Sequence, residues 1–479
     1  MTGGDLAFAG LARQAELVRD GELSARELTE FCLRRIEELD PQLTAFSVVL
    51  AAEALAEADA ADASRAEAEA KPLLGVPVAI KDDTDVAGQV TSHGARAHGG
   101  AKAEADAPIV ARLRAAGAVI IGKTTVPEFE SCGFTETEAF GITRNPWNLD
   151  HTPGGSSGGS GAAVAAGMVA AAQGTDGAGS IRIPASNCGL FGLKPQRGRV
   201  PFTPGEPWHG LSVAGPITRS VEDAALFLDC VHGALPTDPH RPPPPDRPYR
   251  EAARTKPPSL RIGISLRPAF RPAPLHPAFR RAVEETAELL RGLGHTVEPV
   301  EPAYLTLTNT QLLPRMVRGI RDNVHASPQP DGIDRRTRGF VRWGALYPPP
   351  VMRVIRALEG RHARRLARPF RDHDVLLTPT TAQPAPPVGK WDGQGALRSI
   401  VGEARVYPYN GPWNVTGQPA AAVPAGFTDE GLPTSVQLVG RPNSEGLLLS
   451  LAAQIEAERP WADRRPPLAS VSGEPLGQP

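Results

Sequence analysis

Cysteine is scarce: four in 479 residues, Cys32, Cys132, Cys188 and Cys230, far apart and without a C-x-x-C pair. That spacing argues against a zinc site and a disulfide scaffold and points to buried free thiols in a reducing compartment. Charge of one sign is lacking as well. With 51 Lys and Arg against 53 Asp and Glu, the formal net charge is −2, so no global field recruits nucleic acid or an anionic membrane. No window holds eighteen consecutive apolar residues, the length a spanning helix needs. The first segment, "MTGGDLAFAGLARQAELVRDG", places Asp5 and Glu16 inside its apolar pattern and has no basic region followed by an apolar stretch, as a secretory leader would. The expectation is a soluble cytoplasmic protein with a small-molecule substrate and neither nucleic acid nor membrane as partner. A homodimer is left open.

What is present is a composition, 41% hydrophobic, able to bury a large core. Ser24-Ala25-Arg26-Glu27 fits a capping box, and Leu28, Phe31, Cys32 and Ile36 recur at helical spacing until Asp40-Pro41 stops them. Residues 51–70 read as another helix, so 1–70 is expected to be a helical segment packing on the core. "GVPVAIKDD" then reads as a buried strand ending at Lys81, followed by a helix over 108–116 and the strand "AVIIGKTTV". This alternation is that of an α/β sheet. It recurs at "LRIGIS", residues 279–293 and "HTVEPV". The proline-rich stretch 234–257 is expected to form an irregular surface connection within one domain, 71–465. "DVLLTPTTAQP", "AAAVPAG" and "TSVQLVG" read as further strands, 445–458 as a closing helix and 466–479 as a disordered tail. Fourteen arginines crowd Arg315 to Arg371 against Asp322, Asp331, Asp334 and Glu359; a solvated face and an anion site are both compatible with that run.

The loop "GGSSGGSG", residues 154–161, could cradle a phosphate, because exposed N–H groups at a helix start attract anions. The Lys-Ser or Lys-Thr of a P-loop is missing, however, and the loop does not directly follow a convincing strand with an acidic residue about twenty further on after a second strand, as a dinucleotide fingerprint requires. A second glycine-flanked serine changes the weighing. In "GTDGAGSIRIPASNCGLFGLKP", Ser180 follows Gly177-Ala178-Gly179, where several backbone N–H groups can converge beside a nucleophilic oxygen. No G-x-S-x-G elbow surrounds Ser180 and no histidine has a persuasive setting, although His151 lies close to the loop. Lys81, at a strand end, is the remaining candidate base, since burial favours the neutral amine that a base requires.

The ordered set "GVPVAIKDDTDVAG", "FGITRNPWN", "TPGGSSGGSGAAVAAG", "GTDGAGSIRIPASNCGLFGLKP", "GPITRSVEDAALFLD" and "NVTGQPAAAVPAGF" resembles the amidase signature family from about Leu23 to about Glu458. The resemblance implies an α/β fold, a large central mixed β-sheet flanked by helices on both faces in a single domain with a helical N-terminal segment. It implies an amidase that needs no cofactor and no metal, with Lys81 as base, Ser156, preceded by a cis peptide bond, as proton relay, and Ser180 as nucleophile. The backbone N–H groups of Gly177, Ala178, Gly179 and Ser180 would form the oxyanion hole. Ser157, Asp176 and Arg182 are supporting candidates. Cys132, Phe134 and Thr135 are candidates for the acyl pocket, and Trp343, Tyr347 and Trp413 for the leaving-group side.

Two departures from the family pattern stand out. Ala178 replaces a glycine, which either adds strain, if φ is positive there, or narrows the pocket. Asp83-Thr84 stands where an asparagine and an aliphatic residue are frequent, which unsettles the hydrogen bonding around Lys81. The segment after Ser180 is similar to that of amidases acting on linear or cyclic amides, including nylon-oligomer cyclic-dimer hydrolases. The family also includes the glutamine-hydrolysing subunit of a tRNA-dependent amidotransferase. Ile183 after Arg182 and "GLSVAGPITRS" downstream depart from that subunit's pattern. A non-catalytic binding protein is disfavoured because Lys81, Ser156 and Ser180 are all present.

Overall fold

A computed structural model describes residues 3–201, 206–304 and 308–470. Eleven strands form one sheet: β1 (Phe46–Val49), β2 (Pro77–Lys81), β3 (Val119–Thr124), β4 (Ala171–Asp176), β5 (Phe191–Lys194), β6 (Val213–Thr218), β7 (Arg261–Ile264), β8 (Thr296–Pro299), β9 (Val375–Pro379), β10 (Ala420–Phe427) and β11 (Pro433–Gly440). Their spatial order is β1-β3-β2-β4-β6-β5-β10-β11-β9-β7-β8. The pairs β3–β2, β2–β4, β9–β7 and β7–β8 are parallel, and the other neighbours are antiparallel. The sheet is therefore mixed, and helices cover both of its faces.

The alternation of side chains along a strand sorts the core. Val78 and Ile80 join a cluster with the helices Val221–Val231, Pro277–Gly292 and Glu445–Glu458. Ala79 faces the opposite cluster, with the helices Ala25–Leu43 and Gly158–Ala165. Lys81 lies two residues beyond Ala79, and this parity sends it toward the serine loop rather than into the first cluster.

Several sequence expectations need correction. The capping box at Ser24 and Glu27 is formed, but the helix runs through Pro41 to Leu43. Asp40 explains the extension: its carboxylate accepts from the amides of Ala45 and Phe46, at 2.6 and 3.3 Å, and its carbonyl accepts from Thr44. Residues 1–70 are not helical throughout, because β1 pairs antiparallel with β3 as the edge of the sheet. The helix over 51–70 stops at Ala63, followed by a 3₁₀ turn. Within the proline-rich stretch a short helix, Tyr249–Arg254, begins after the last proline of the PPPPDRP run. The Asp229 carboxylate supplies its cap, accepting from the amides of Tyr249 and Arg250 at 2.7 and 2.8 Å. The segment expected to be a disordered tail begins with a 3₁₀ turn, Pro467–Ser470, and residues 471–479 lie outside the described residues. No helix is long and apolar enough to cross a membrane among the described residues.

Candidate active site

Lys81 leaves β2 fully buried, and its Nζ has three oxygen neighbours. It donates to Ser156 Oγ at 2.7 Å and to Thr175 Oγ1 at 2.7 Å, and it lies 3.2 Å from Asp83 Oδ2. The Thr175 hydroxyl in turn donates to Asp83 in a short contact. Burial alone would raise the Asp83 carboxyl, but the charges of Lys81 and His93 and the Thr175 hydrogen bond outweigh it and hold the group below the usual carboxylate range. Asp83 is thus an anion beside the amine, on the residue that sequence comparison marked as a departure. Its charge yields a prediction. A carboxylate favours the proton-bound form of a neighbouring amine, so Asp83→Asn should move the acid limb of the pH–rate profile to lower pH. An unmoved limb would disconnect Asp83 from the proton transfer.

The loop that carries Ser156 is shaped by contact. The Gly155–Ser156 peptide bond is cis, and Gly154 has φ +92°. A Cβ on Gly155 would stand 2.7 Å from Cys132 O and from Phe134 N, nearer than real Cβ atoms come. The glycines serve close approach to the 132–135 segment as much as backbone freedom. Ser157 Oγ bridges the amide and carbonyl of Thr175, at 3.3 and 3.2 Å, and its own amide donates to Ser180 O at 3.3 Å. It ties the loop to the end of β4 and to the second serine.

Ser180 sits where β4 turns into the helix Arg182–Cys188. Asp176 and Arg182, both fully buried, brace this turn through two contacts of 2.8 and 2.9 Å. The guanidinium also donates to Asn414 Oδ1, Gln437 Oε1 and Asn410 O at 2.7, 2.6 and 3.1 Å. Burial would raise the Asp176 carboxyl; the paired guanidinium reverses this and holds it well below the ordinary range. One expectation fails here. The amide of Gly179 donates to Asp176 Oδ1 at 2.8 Å and is already engaged. The amides of Gly177, Ala178 and Ser180 have no partner among the described residues. Positive φ falls on Gly179, at +128°, and not on Ala178, so alanine adds no strain there.

Two cavities meet at Ser180. A polar one of about 550 Å³ is bordered by Asp83, Ser156, Thr175 and Gly177. An apolar one of about 300 Å³ is bordered by Cys132, Ala178, Ile183, Met316, Trp343 and Tyr407. Ser180, Glu130 and Trp208 border both. Strained backbone clusters here: His93, Glu130, Trp208 and His209 have φ of 50°, 55°, 50° and 54°, and all line the polar cavity. Each such residue costs about 1 kcal/mol or more and persists only where its surroundings hold it. At Trp208-His209 the surroundings are arginines. The guanidinium groups of Arg315 and Arg356 both donate to His209 O, at 2.6 and 2.7 Å, and ion-pair with Glu359 and Glu206. Part of the arginine-rich run thus fixes a cavity wall. His93 forms an ion pair of 3.0 Å with Glu130; against the effect of burial, that carboxylate pushes its pKa up to about 9.

Of the candidate substrate residues, Cys132 and Trp343 border the apolar cavity together, so Trp343 is not on a separate leaving-group side. The other four are not among the cavity-lining residues. Phe134 stacks on Trp391 at 4.6 Å, the Thr135 hydroxyl donates to Gly154 O at 2.9 Å, and the carbonyl of Tyr347 accepts from Arg318. Trp413 is buried between Tyr304 and Phe370. Thr175, Trp208 and Glu403 escaped sequence reasoning, and no motif surrounds the last two. Among the described residues no group of three or more His, Cys, Asp or Glu is arranged to hold a metal ion.

The profile of the Amidase family matches residues 27–449. The chain belongs to the Amidase family. Like the family's amidases, it is a hydrolase of amide bonds with the amidase signature. It is 50% identical over 464 residues to the candidate amidase AmiB2 of Mycobacterium tuberculosis, covering 96% of this chain and 98% of that one. It is 35% identical to the 6-aminohexanoate-cyclic-dimer hydrolase of Paenarthrobacter ureafaciens over 491 residues, 96% of each chain. The structure of a 6-aminohexanoate cyclic dimer hydrolase complexed with substrate superposes on this amidase with a TM-score of 0.90 and 33% identity, covering 97% of this chain and 99% of that one.

Proposed function

We propose that this amidase cleaves a carboxamide to a carboxylic acid and an amine through an acyl-enzyme on Ser180, with Ser156 as proton relay and Lys81 as base. The observation that carries this reading is the 2.7 Å contact between the buried Lys81 amine and Ser156 Oγ, at the wall of a cavity that Ser156 shares with Ser180. The cation paired with Asp83 must first release its proton; the neutral Lys81 amine then takes the Ser156 proton as Ser156 takes that of Ser180, and Ser180 Oγ adds to the amide carbon. The unengaged amides of Gly177, Ala178 and Ser180 are available to the oxyanion, where each donor contributes about 3–4 kcal/mol to lowering the barrier. Ser156 then gives a proton to the departing nitrogen, and water later releases the acid from Ser180.

The two cavities support a reading of where the halves of the substrate lie. Ser156, which protonates the leaving amine, borders the polar cavity, and Ala178 and Ile183 of the nucleophile turn border the apolar one. The amine therefore departs into the polar side and the acyl group occupies the apolar side. The relatives that act on 6-aminohexanoate cyclic dimer make a secondary amide with an aliphatic acyl chain a reasonable first substrate. A panel of aliphatic, aryl and cyclic amides with intact-mass detection tests the reading. The expected result is a mass increase equal to one acyl group, located on Ser180 and absent in Ser180→Ala. Turnover by Ser180→Ala at the wild-type rate would overturn it.

A further inference from the structure

Ser180, the nucleophile of the proposed reaction, shares its place at both cavities with Glu130 and Trp208. These two have an unusual property in common: each bears a side chain on left-handed backbone, with φ of 55° at Glu130 and 50° at Trp208. Such conformations persist where the surrounding structure over-determines them, and they gather at ligand-binding sites. Both residues are well held. The Glu130 amide donates to Pro127 O at 2.9 Å, and its carboxylate is paired with His93. The turn that carries Trp208 is fastened by the two arginines on His209 O.

The indole has no room to swing aside. Along one edge lies Gly177 of the nucleophile turn, where an added Cβ would stand 2.8 Å from Cε3 of the ring. Along the other lies Gly319 of the helix Leu313–Ala326, where a Cβ would stand 2.7 Å from Cδ1 and 2.8 Å from Trp208 Cα. Glycine at both positions lets two stretches of backbone grip the ring. Trp208 is 8% exposed, and the surface it keeps meets both cavities. We propose that Trp208 is the specificity-determining residue of this site: with Ser180 and Glu130 it forms a rigid collar where the cavities join, and the collar selects amides unbranched on both sides. The substrate class is then the N-alkyl alkanamides with a CH₂ next to the carbonyl and a CH₂ next to the nitrogen. The inference rests on the preceding reading for placing the scissile amide at Ser180. A wall that is close-packed from behind discriminates by shape, because it cannot yield to an extra methyl group as a loosely packed one would.

Isomeric amides test this with the full-length protein: N-butylhexanamide, unbranched on both sides, N-butyl-2-ethylbutanamide, branched beside the carbonyl, and N-(butan-2-yl)hexanamide, branched beside the nitrogen. The ratio of kcat/KM between isomers does not depend on how much of a variant is folded, since all are turned over by the same active molecules. Beyond the ratio that hydroxide gives, the wild-type protein is expected to favour the unbranched isomer by about 100-fold over either branched one. Trp208→Ala should lower that preference by about 10-fold or more, and Trp208→Phe, which keeps a smaller ring between the glycines, by about 3-fold. A wild-type preference no greater than that of hydroxide, or a ratio unchanged in Trp208→Phe, would overturn the inference whether or not Trp208→Ala folds. Acyl-Ser180 formed equally well from all three isomers would sink this inference alone, and isomer selectivity without acyl-Ser180 would sink the proposed reaction alone.

Discussion

Lys81→Met is expected to lower kcat/KM by about 10³- to 10⁴-fold, the range for removal of a general base on which a nucleophile depends. The amine touches Ser156 Oγ at 2.7 Å, and methionine fills its space without accepting a proton. The same change strips the buried Asp83 carboxylate of a cation 3.2 Å away, and breaking a buried pair costs about 3–5 kcal/mol of stability. Loss of activity in the single variant could therefore reflect loss of fold. Lys81→Met combined with Asp83→Asn separates the two effects, since the asparagine leaves no unpaired charge. The double variant should regain most of the stability in a urea titration and none of the activity. A double variant within 10-fold of wild-type kcat/KM would remove lysine from the reaction.

Arg182→Met is expected to cost about 3–5 kcal/mol of stability in urea denaturation. Both charges of this pair are fully buried, and the guanidinium also holds Asn414 and Gln437. The sign with pH follows from the depressed Asp176 carboxyl. Its contribution is present above the unfolded carboxylate pKa of about 3.9 and is lost only as pH falls through the lower folded value. Without the guanidinium, burial raises the Asp176 carboxyl in the folded variant, so the deficit of Arg182→Met should be largest at alkaline pH and shrink as pH falls and that carboxyl takes up a proton. A deficit below about 1 kcal/mol would mean that the nucleophile turn is held by its backbone contacts rather than by this pair.

Local pattern was enough to read a good part of this protein. The strand ending at Lys81, the capping box at Ser24 and the closing helix over 445–458 depend on neighbours in sequence: side-chain period, caps and proline stops. The glycine-bracketed serines were conspicuous for the same reason, since a run of small residues beside a nucleophile is a composition no ordinary core uses. Strands β4, β5 and β6 were not read as strands from periodicity, because "AAQGTD" and "FGLK" are buried on both faces and lack the two-residue alternation. Position 83 drew attention in the sequence, but whether its carboxylate meets the amine depends on the turn that follows β2.

The chain by itself determined which chemistry is present: an amine at a strand end, two serines in glycine settings and an aspartate and an arginine six residues apart. Tertiary structure alone decided which atoms meet. It committed the Gly179 amide to Asp176, drew Trp208 from 28 residues beyond Ser180 to the junction of the two cavities, and set Glu403 against Gly133 across 270 positions. Periodicity and capping are short-ranged along the chain, whereas a cavity is the space left between elements that only folding brings side by side.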